Sequence, residues 1–427
     1  MRELAPIRTD ILVIGQGAAG LLAATLLARE NNEVLVVGDG APATSLSCGC
    51  ISFVRDDVLE EDGGRLDVET LARSVYPFNE MIEAHDFDFQ DTVSGVSAFI
   101  GRQLADQGLE MSDNLFRVYR LITNAGTIHQ CSLAPLPVNA GGLRHLAGKR
   151  TALLGFEGMG DLDPDLAVRM LRGARGAGEF RAYRAALPAL GGRAAVSATE
   201  ASLLLRSDAA VAEVADAVGR IGEDNVGLPP LFRLDDFQKG MARLRRATGR
   251  NVFEVVTPLS LPGQRFQEAL ERMASGSGCS LLRNRRVGRL EVKGRRLTEA
   301  SLVTRTRTQK VRFNACVVAT GDLIGGGLVA SGLEIGDALG TFKVGKVKRS
   351  GLRSHSGLRI PAMVKDAAES GFLVEGDMRL QLAAGGAAEN AFGAGSALAG
   401  FSFPTGVGLG GGLLTAWVAA ISAKEAG

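Results

Sequence analysis

The segment that most constrains this chain lies near its start. Ile11–Ile14 is a short β-rich run, Gly15-Gln16-Gly17-Ala18-Ala19-Gly20 is a turn, and Leu21–Arg29 is an alanine/leucine helix. Glu33–Val37 reads as the next strand. Strand, turn, helix and strand in this order predict the first βαβ unit of a doubly wound parallel sheet. Each glycine has a physical reason in that setting. The first makes the tight turn, the second lets the backbone approach a phosphate, and the third lets the helix pack on the strand. An anion then rests at the helix N-terminus, where free N–H groups and the helix dipole favour negative charge.

Dinucleotide-binding turns of this type carry Asp or Glu at the end of the second strand, where it binds the adenosine ribose. Counting along Val34-Leu35-Val36-Val37, that position falls on Gly38. Asp39 comes one residue later, and on a strand one residue turns the side chain to the opposite face. Two alternatives stay open. The loop shifts and Asp39 serves, or there is no adenosine ribose to bind and the ligand is a mononucleotide such as FMN rather than FAD or NAD.

Glycine is abundant, 56 of 427 residues, about twice the roughly 7% of average proteins. The excess is local. Three glycines fall in Gly15–Gly20, five in Gly321–Gly332 and seven in Gly395–Gly412. Each stretch begins where an expected strand ends. Val317-Val318-Ala319-Thr320-Gly321 is an apolar strand closing on Thr-Gly, and Phe392-Gly393-Ala394-Gly395-Ser396 closes on Gly-Ser. Gly406, Gly408, Gly410, Gly411 and Gly412 lead into an expected helix over Leu413–Ala423. Three such turns form a cradle for one phosphate-bearing ligand.

The net charge is +1, which gives no global case for nucleic acid binding. A local exception is Arg283–Arg312, with eleven Lys/Arg against Glu291 and Glu299. It reads as a solvated face of a β-meander, or else as a docking patch for an acidic partner. Five cysteines without an even framework suit a reducing compartment. Cys48-Gly49-Cys50 is an isolated C-x-C. His85, His129, His145 and His355 are scattered, so no metal site is expected. The uncharged stretches Ile11–Ala28 and Asn390–Ala423 are long enough for membrane spans but broken by glycines, and read as buried strand-turn-helix units. The N-terminus has no signal-peptide core, so a cytoplasmic location is expected.

Elsewhere, Asp39–Ser52 reads as a small-residue loop, Asp56–Arg65 as an acidic surface segment, and helical patterns run on to about residue 120. Thr151–Gly155 is an expected strand, followed by a helix starting near Pro164 with Asp163 as its N-cap. Ala198–Gly219 reads as one helix, Asp224–Arg233 as loop because of Pro229 and Pro230, and Phe237–Ala247 as a basic amphipathic helix. Val252–Thr257 is a strand, Pro258–Gly263 a turn and Gln264–Met273 a helix. Cys279–Asn284, Val287–Val292 and Arg296–Thr304 alternate like a three-stranded meander.

These residues together resemble the flavoprotein group of fumarate reductase and succinate dehydrogenase. Within it the chain is similar to the B-subunit family of anaerobic glycerol-3-phosphate dehydrogenases. The resemblance runs end to end. It rests on Ile14–Leu22, the Ser45–Ser52 loop, Leu154–Asp161 and Pro258–Arg265, and most specifically on Val318–Gly332 and Gly395–Thr415. It implies an α/β fold: a doubly wound, Rossmann-like flavin domain of the glutathione-reductase type, with a β-meander and an inserted α/β cap. The flavin domain is expected over 1–75, 250–345 and 375–427, and the cap over 76–249 with 346–374. The implied cofactor contacts are Gly15, Gly17, Ala18, Ala19, Gly20, Ser45, Ser47, Gly49, Thr320, Gly321, Gly395, Ser396, Gly408, Gly410 and Gly411. Ser396 stands where related flavoproteins carry the Asp of a late Gly-Asp.

The implied activity is oxidation of glycerol 3-phosphate to dihydroxyacetone phosphate, with electrons passed to menaquinone in anaerobic respiration. The implied cofactor is FMN, with FAD as the alternative. The implied partners are a flavoprotein A subunit and an iron–sulfur C subunit, through which the chain would be peripheral at the inner face of the cell membrane. A self-sufficient dehydrogenase would instead need a base and an anion clamp, for which His355 with Arg353 and Arg359, or Arg379, are the candidates. A scaffold without flavin is the third reading.

Overall fold

The computed structural model describes residues 2–55, 58, 66–83, 87–172, 178–304, 306–331, 334–346, 370–401 and 407–426. The expected acidic segment Asp56–Arg65 lies almost wholly outside them, as do Arg353, His355 and Arg359. The chain divides into two compact units, Met1–Ala43 with Ile51–Phe99 and Leu270–Gly427, and Thr44–Cys50 with Ile100–Ala269. It passes between them inside the helices Phe89–Asp106 and Leu261–Gly276.

The first unit is built on Ile11–Ile14 (β2), Val34–Gly38 (β3), Ser280–Arg283 (β10), Ala315–Val318 (β14), Arg379–Gln381 (β19) and Ala387–Gly393 (β20). They form one sheet in the order β10-β3-β2-β14-β20-β19, parallel except for β19. All four residues of β2 and of β14 are buried, as are the first four of β3. Continuous apolar strands are what a parallel sheet covered on both faces requires. Burying each such side chain contributes about 1.5–3 kcal/mol, against about 1–2 kcal/mol per residue of backbone ordering. Strands of only four residues therefore suffice.

Ala18–Ala28 (α1) and Gly408–Ala426 (α3) pack against each other. α1 carries no charge and α3 none before Lys424, whose Nζ meets Glu30 Oε2 at 2.8 Å. Helices apolar on all sides belong in a core. The two uncharged stretches are thus strand-turn-helix units, as expected. Among the described residues no helix is long and apolar enough to cross a membrane.

The meander differs from the expected one. Arg286–Lys293 (β11), Arg296–Val303 (β12) and Arg307–Arg312 (β13) are antiparallel, and Arg2–Arg8 (β1) adds in parallel to β13. β10 leaves the meander for the edge of the large sheet, in register from Ser280–Leu35 to Arg283–Gly38. Asn284, at φ 57°, makes the turn that separates β10 from β11. The basic residues of this region are largely paired on the surface: Arg286 with Asp39, Arg283 with Glu271, Arg295 with Glu389, and Lys310 and Arg312 with Glu299. That arrangement matches a solvated face. Two antiparallel strand pairs, Leu328–Ser331 (β15) with Glu334–Asp337 (β16) and Val344–Lys346 (β17) with Ser370–Phe372 (β18), also belong to the unit.

In the second unit Arg150–Phe156 (β6), Glu179–Ala185 (β7), Asn225–Leu228 (β8) and Asn251–Glu254 (β9) form a parallel sheet in the order β7-β6-β8-β9. Tyr119–Ile122 (β4) and Ile128–Cys131 (β5) form a hairpin. Asp163 caps the helix Pro164–Leu171 as expected, accepting from the N–H groups of Asp165 and Leu166. Two expectations fail here. The helix over Ala198–Gly219 is two helices, Ala198–Leu204 and Asp208–Gly219, because Ser207 accepts from Ala210 N–H and starts a new N-terminus. β8 lies inside the expected loop Asp224–Arg233. Its polar Asn225 is buried, donating to Thr151 Oγ1 and accepting from Asn251 Nδ2, and the prolines begin only after the strand ends.

Leu261–Gly276 (α2) starts three residues earlier than expected, within the segment read as a turn. It carries a buried charge. Arg265 pairs with Glu254 on β9, donates to Phe232 O at 3.2 Å, and lies 3.6 Å from the Phe237 ring centroid. The side chains of both partners are at most 2% exposed. Removing one partner of such a pair strands the other charge and costs about 3–5 kcal/mol, whereas replacing both by apolar groups is often neutral. Arg265→Met should therefore lower the unfolding free energy from urea titration by that amount, and Arg265→Met with Glu254→Leu should recover most of it. A single variant as stable as the parent would refute this account.

Candidate functional site

The three glycine stretches meet in the first unit at the C-terminal ends of β2, β14 and β20. Gly15 has φ 122°, and a Cβ there would lie 2.0 Å from Ala319 O. A Cβ on Gly20 would lie 2.0 Å from Gly15 O. These two glycines let the turn close against β14 and let α1 pack on the turn. Gly17 is the N-cap of α1 and offers no side chain to its N–H groups, which leaves that end suited to an anion.

The second stretch folds on itself. Gly321 has φ 77°, and a Cβ on Gly327 would lie 2.2 Å from both Gly321 O and Thr320 Oγ1. Thr320 Oγ1 is buried with no hydrogen-bond partner among the described residues. Ser396 Oγ lies 3.7 Å from where a Gly321 Cβ would stand. Gly395, at φ 76°, faces Ala19, with a would-be Cβ 2.9 Å from the Ala19 methyl. Gly395 N–H donates to Thr415 Oγ1 of α3 at 3.0 Å, and Ala394 N–H donates to Val318 O at 3.0 Å.

Gly15, Ala19, Gly20, Thr320, Gly321, Gly395 and Ser396 are therefore brought together, with Gly17 and Ala18 at the same helix start. The α3 glycines differ among themselves. Gly410 abuts Ser52 O, 2.1 Å from a would-be Cβ, and Gly411 abuts the Phe401 ring at 3.3 Å, so both serve close packing. Among the described residues nothing lies within 4 Å of a would-be Cβ on Gly408. Ser45, Ser47 and Gly49 lie in the second unit. There Ser47 Oγ accepts from Gly49 N–H at 3.2 Å. Gly49, at φ 72°, would put a Cβ 3.1 Å from Pro262 O.

The residues fit a flavin. A buried hydroxyl without a partner at a sharp glycine turn is a group awaiting an acceptor or donor. Around it, helix starts and strand ends converge without side chains. When bound, a flavin supplies the redox chemistry, and these residues position it.

The absent acid has a structural counterpart that the sequence pattern does not reveal. Gln16, the first variable position of the turn, lies over Gly38. A Cβ on Gly38 would stand 2.6 Å from Gln16 Cγ. The Gln16 amide donates to Leu282 O at 2.9 Å and to Val36 O at 3.4 Å, so it is tied to the β3–β10 pair. Asp39 is engaged elsewhere, with its Oδ2 3.0 Å from Arg286 Nε.

Of the catalytic candidates, Arg379 pairs with Asp377 at 3.0 Å, and the others lie outside the described residues. The expectation that the histidines are scattered away from Cys48 and Cys50 fails for His129. Its Nε2 lies 3.7 Å from Cys48 Sγ. The hydrogen bond from Cys50, with burial, holds the Cys48 thiol well above its ordinary range. Cys131 acts on Cys50 in the same direction. Burial opposes charge on His129, but its hydrogen bond and attraction to Cys48 outweigh that and raise it.

A family model described as an FAD binding domain matches residues 10–355. The chain is 25% identical over 338 residues to the anaerobic glycerol-3-phosphate dehydrogenase B subunit of Actinobacillus pleuropneumoniae serotype 5b, covering 75% of this chain and 76% of that one. It is 26% identical over 336 residues to the protein of the same name from Haemophilus ducreyi, with the same coverage. Among solved structures, 3-ketosteroid delta1-dehydrogenase from Sterolibacterium denitrificans aligns at a TM-score of 0.43 and 11% identity, over 98% of this chain and 100% of that one. The open conformation of a flavocytochrome c3 fumarate reductase aligns at 0.44 and 10% identity, over 98% and 79%. Because the family model spans well over half of its residues, the chain belongs to the FAD binding domain family of flavin-dependent oxidoreductases.

Proposed function

We propose that this chain is the flavoprotein B subunit of a respiratory, quinone-linked glycerol-3-phosphate dehydrogenase. In that role glycerol 3-phosphate is oxidised at C2 to dihydroxyacetone phosphate, losing two electrons and two protons. The electrons pass through a flavoprotein A subunit and an iron–sulfur C subunit to menaquinone. The chain sits in the cytoplasm and reaches the inner face of the membrane only through those partners. The observation that carries this reading is the similarity to curated B-subunit proteins over three quarters of both chains. The bound form is FMN. Gln16 fills the space over Gly38 where a ribose-binding carboxylate would have to stand, and Arg286 already holds Asp39.

Three measurements test these statements. Cofactor released by acid from the purified chain should chromatograph as FMN, and FAD would overturn the mononucleotide reading. Bound flavin should be reduced by glycerol 3-phosphate only when the partner subunits are present, whereas reduction of the lone chain would favour a self-sufficient dehydrogenase. Gln16→Ala with Gly38→Glu should gain FAD affinity. A charge-assisted hydrogen bond contributes about 1.5–3 kcal/mol, roughly a tenfold to hundredfold gain, read by flavin fluorescence titration. An unchanged preference would show that Gln16 does not exclude the ribose.

The glycines give a contrast within the site. Gly408→Ala meets nothing within 4 Å among the described residues and should bind flavin as the parent does, while Gly15→Ala should abolish binding through φ 122° and the Ala319 carbonyl. Equal flavin content in the two variants would contradict the cradle.

A further inference from the structure

We propose that Cys48, Cys50 and His129 form a binding site for a zinc-class, thiophilic divalent cation. The site lies wholly in the second unit and does not depend on the flavin reading.

The ligand atoms of Cys48, Cys50 and His129 lie within 4.8 Å of one another, and Cys48 Sγ is 3.7 Å from His129 Nε2. Zinc bonds of about 2.3 Å to sulfur and 2.0–2.1 Å to nitrogen give tetrahedral edges of about 3.6–3.8 Å. The observed spacing is thus already near that of a closed site. Cys131 is two residues from His129 on β5, so the two side chains leave the same face of the strand. Cys131 neighbours Cys50, while the ligand atoms that all lie within 4.8 Å of one another are those of Cys48, Cys50 and His129.

The ligand set is prepared from both sides. β5 is held in register by β4, with Cys131 opposite Tyr119 and His129 opposite Leu121. The C-x-C loop is held by α2 and the turn before it. Leu259 N–H donates to Leu46 O at 2.9 Å, and a Cβ on Gly263 would lie 2.4 Å from both Ser45 O and Ser47 O. Gly49 supplies the left-handed turn between the cysteines. Two elements distant in sequence thus present two thiols and an imidazole to one point. Sulfur and imidazole select zinc over calcium or magnesium, which require oxygen ligands. An ion held by Cys48, Cys50 and His129 pins the loop to the hairpin. Binding releases the thiol protons to solvent, with no change of oxidation state.

The test uses the full chain, purified under reductant with its flavin and supplied with zinc. Elemental analysis should find one zinc per chain, and X-ray absorption should show a first shell that includes two sulfurs and one imidazole nitrogen. Cys48→Ser and His129→Ala should each weaken zinc affinity more than about 100-fold, the upper range for losing an outer hydrogen-bond partner of a ligand. Cys316→Ser should leave the zinc content unchanged. Zinc below about a tenth of an equivalent, or an oxygen-dominated shell, overturns the proposal. So does a Cys48–Cys50 disulfide in the reduced preparation. If the ligand variants fail to fold, chelator treatment of the parent decides: two or more thiols should become reactive on zinc removal, and no change counts against the site.

Discussion

The first unit depends on one close approach. Gly15 lies so near the carbonyl of Ala319, the residue after β14, that no side chain fits between them, and Gly20 lies as near Gly15. Those two distances place the N-terminus of α1 over the ends of β2 and β14. Gly395 then meets Ala19, and its N–H donates to Thr415 on α3. Strand ends, helix starts and turns therefore converge with almost no side chains between them. What remains for a ligand is backbone N–H groups, the Ser396 hydroxyl and the Thr320 hydroxyl, which has no partner among the described residues.

Not every glycine in the excess serves the ligand. At Gly15, Gly20, Gly327 and Gly410 the direction of a side chain is filled by protein atoms, so the residue is glycine for packing. At Gly408 nothing among the described residues fills that direction. Packing and ligand approach are served by one backbone, since elements that come close together also bring their N–H groups to one place.

The second unit solves a different problem. Its parallel sheet accepts a buried asparagine at Asn225 and a buried Arg265–Glu254 pair, each matched by specific partners. The same unit gathers Cys48, Cys50, His129 and Cys131 from a loop and a hairpin separated by about eighty residues. A polar group in a low-dielectric interior must be partnered, and these groups partner one another.

The sequence alone determined the βαβ start, the buried character of its uncharged helices, the Asp163 cap and the three glycine turns. These follow from local pattern, hydrophobic periodicity and the steric freedom of glycine, which need no knowledge of distant residues. Tertiary structure alone decided that Ser280–Arg283 joins the large sheet rather than the meander, because its pairing partner is β3, far away in sequence. It decided that Asn225–Leu228 is a strand despite the following prolines, because neighbouring strands satisfy its backbone and its asparagine. It also decided what stands over Gly38 and what faces Cys48. Both depend on where long side chains come to rest after the chain has folded, and no spacing along the sequence records that.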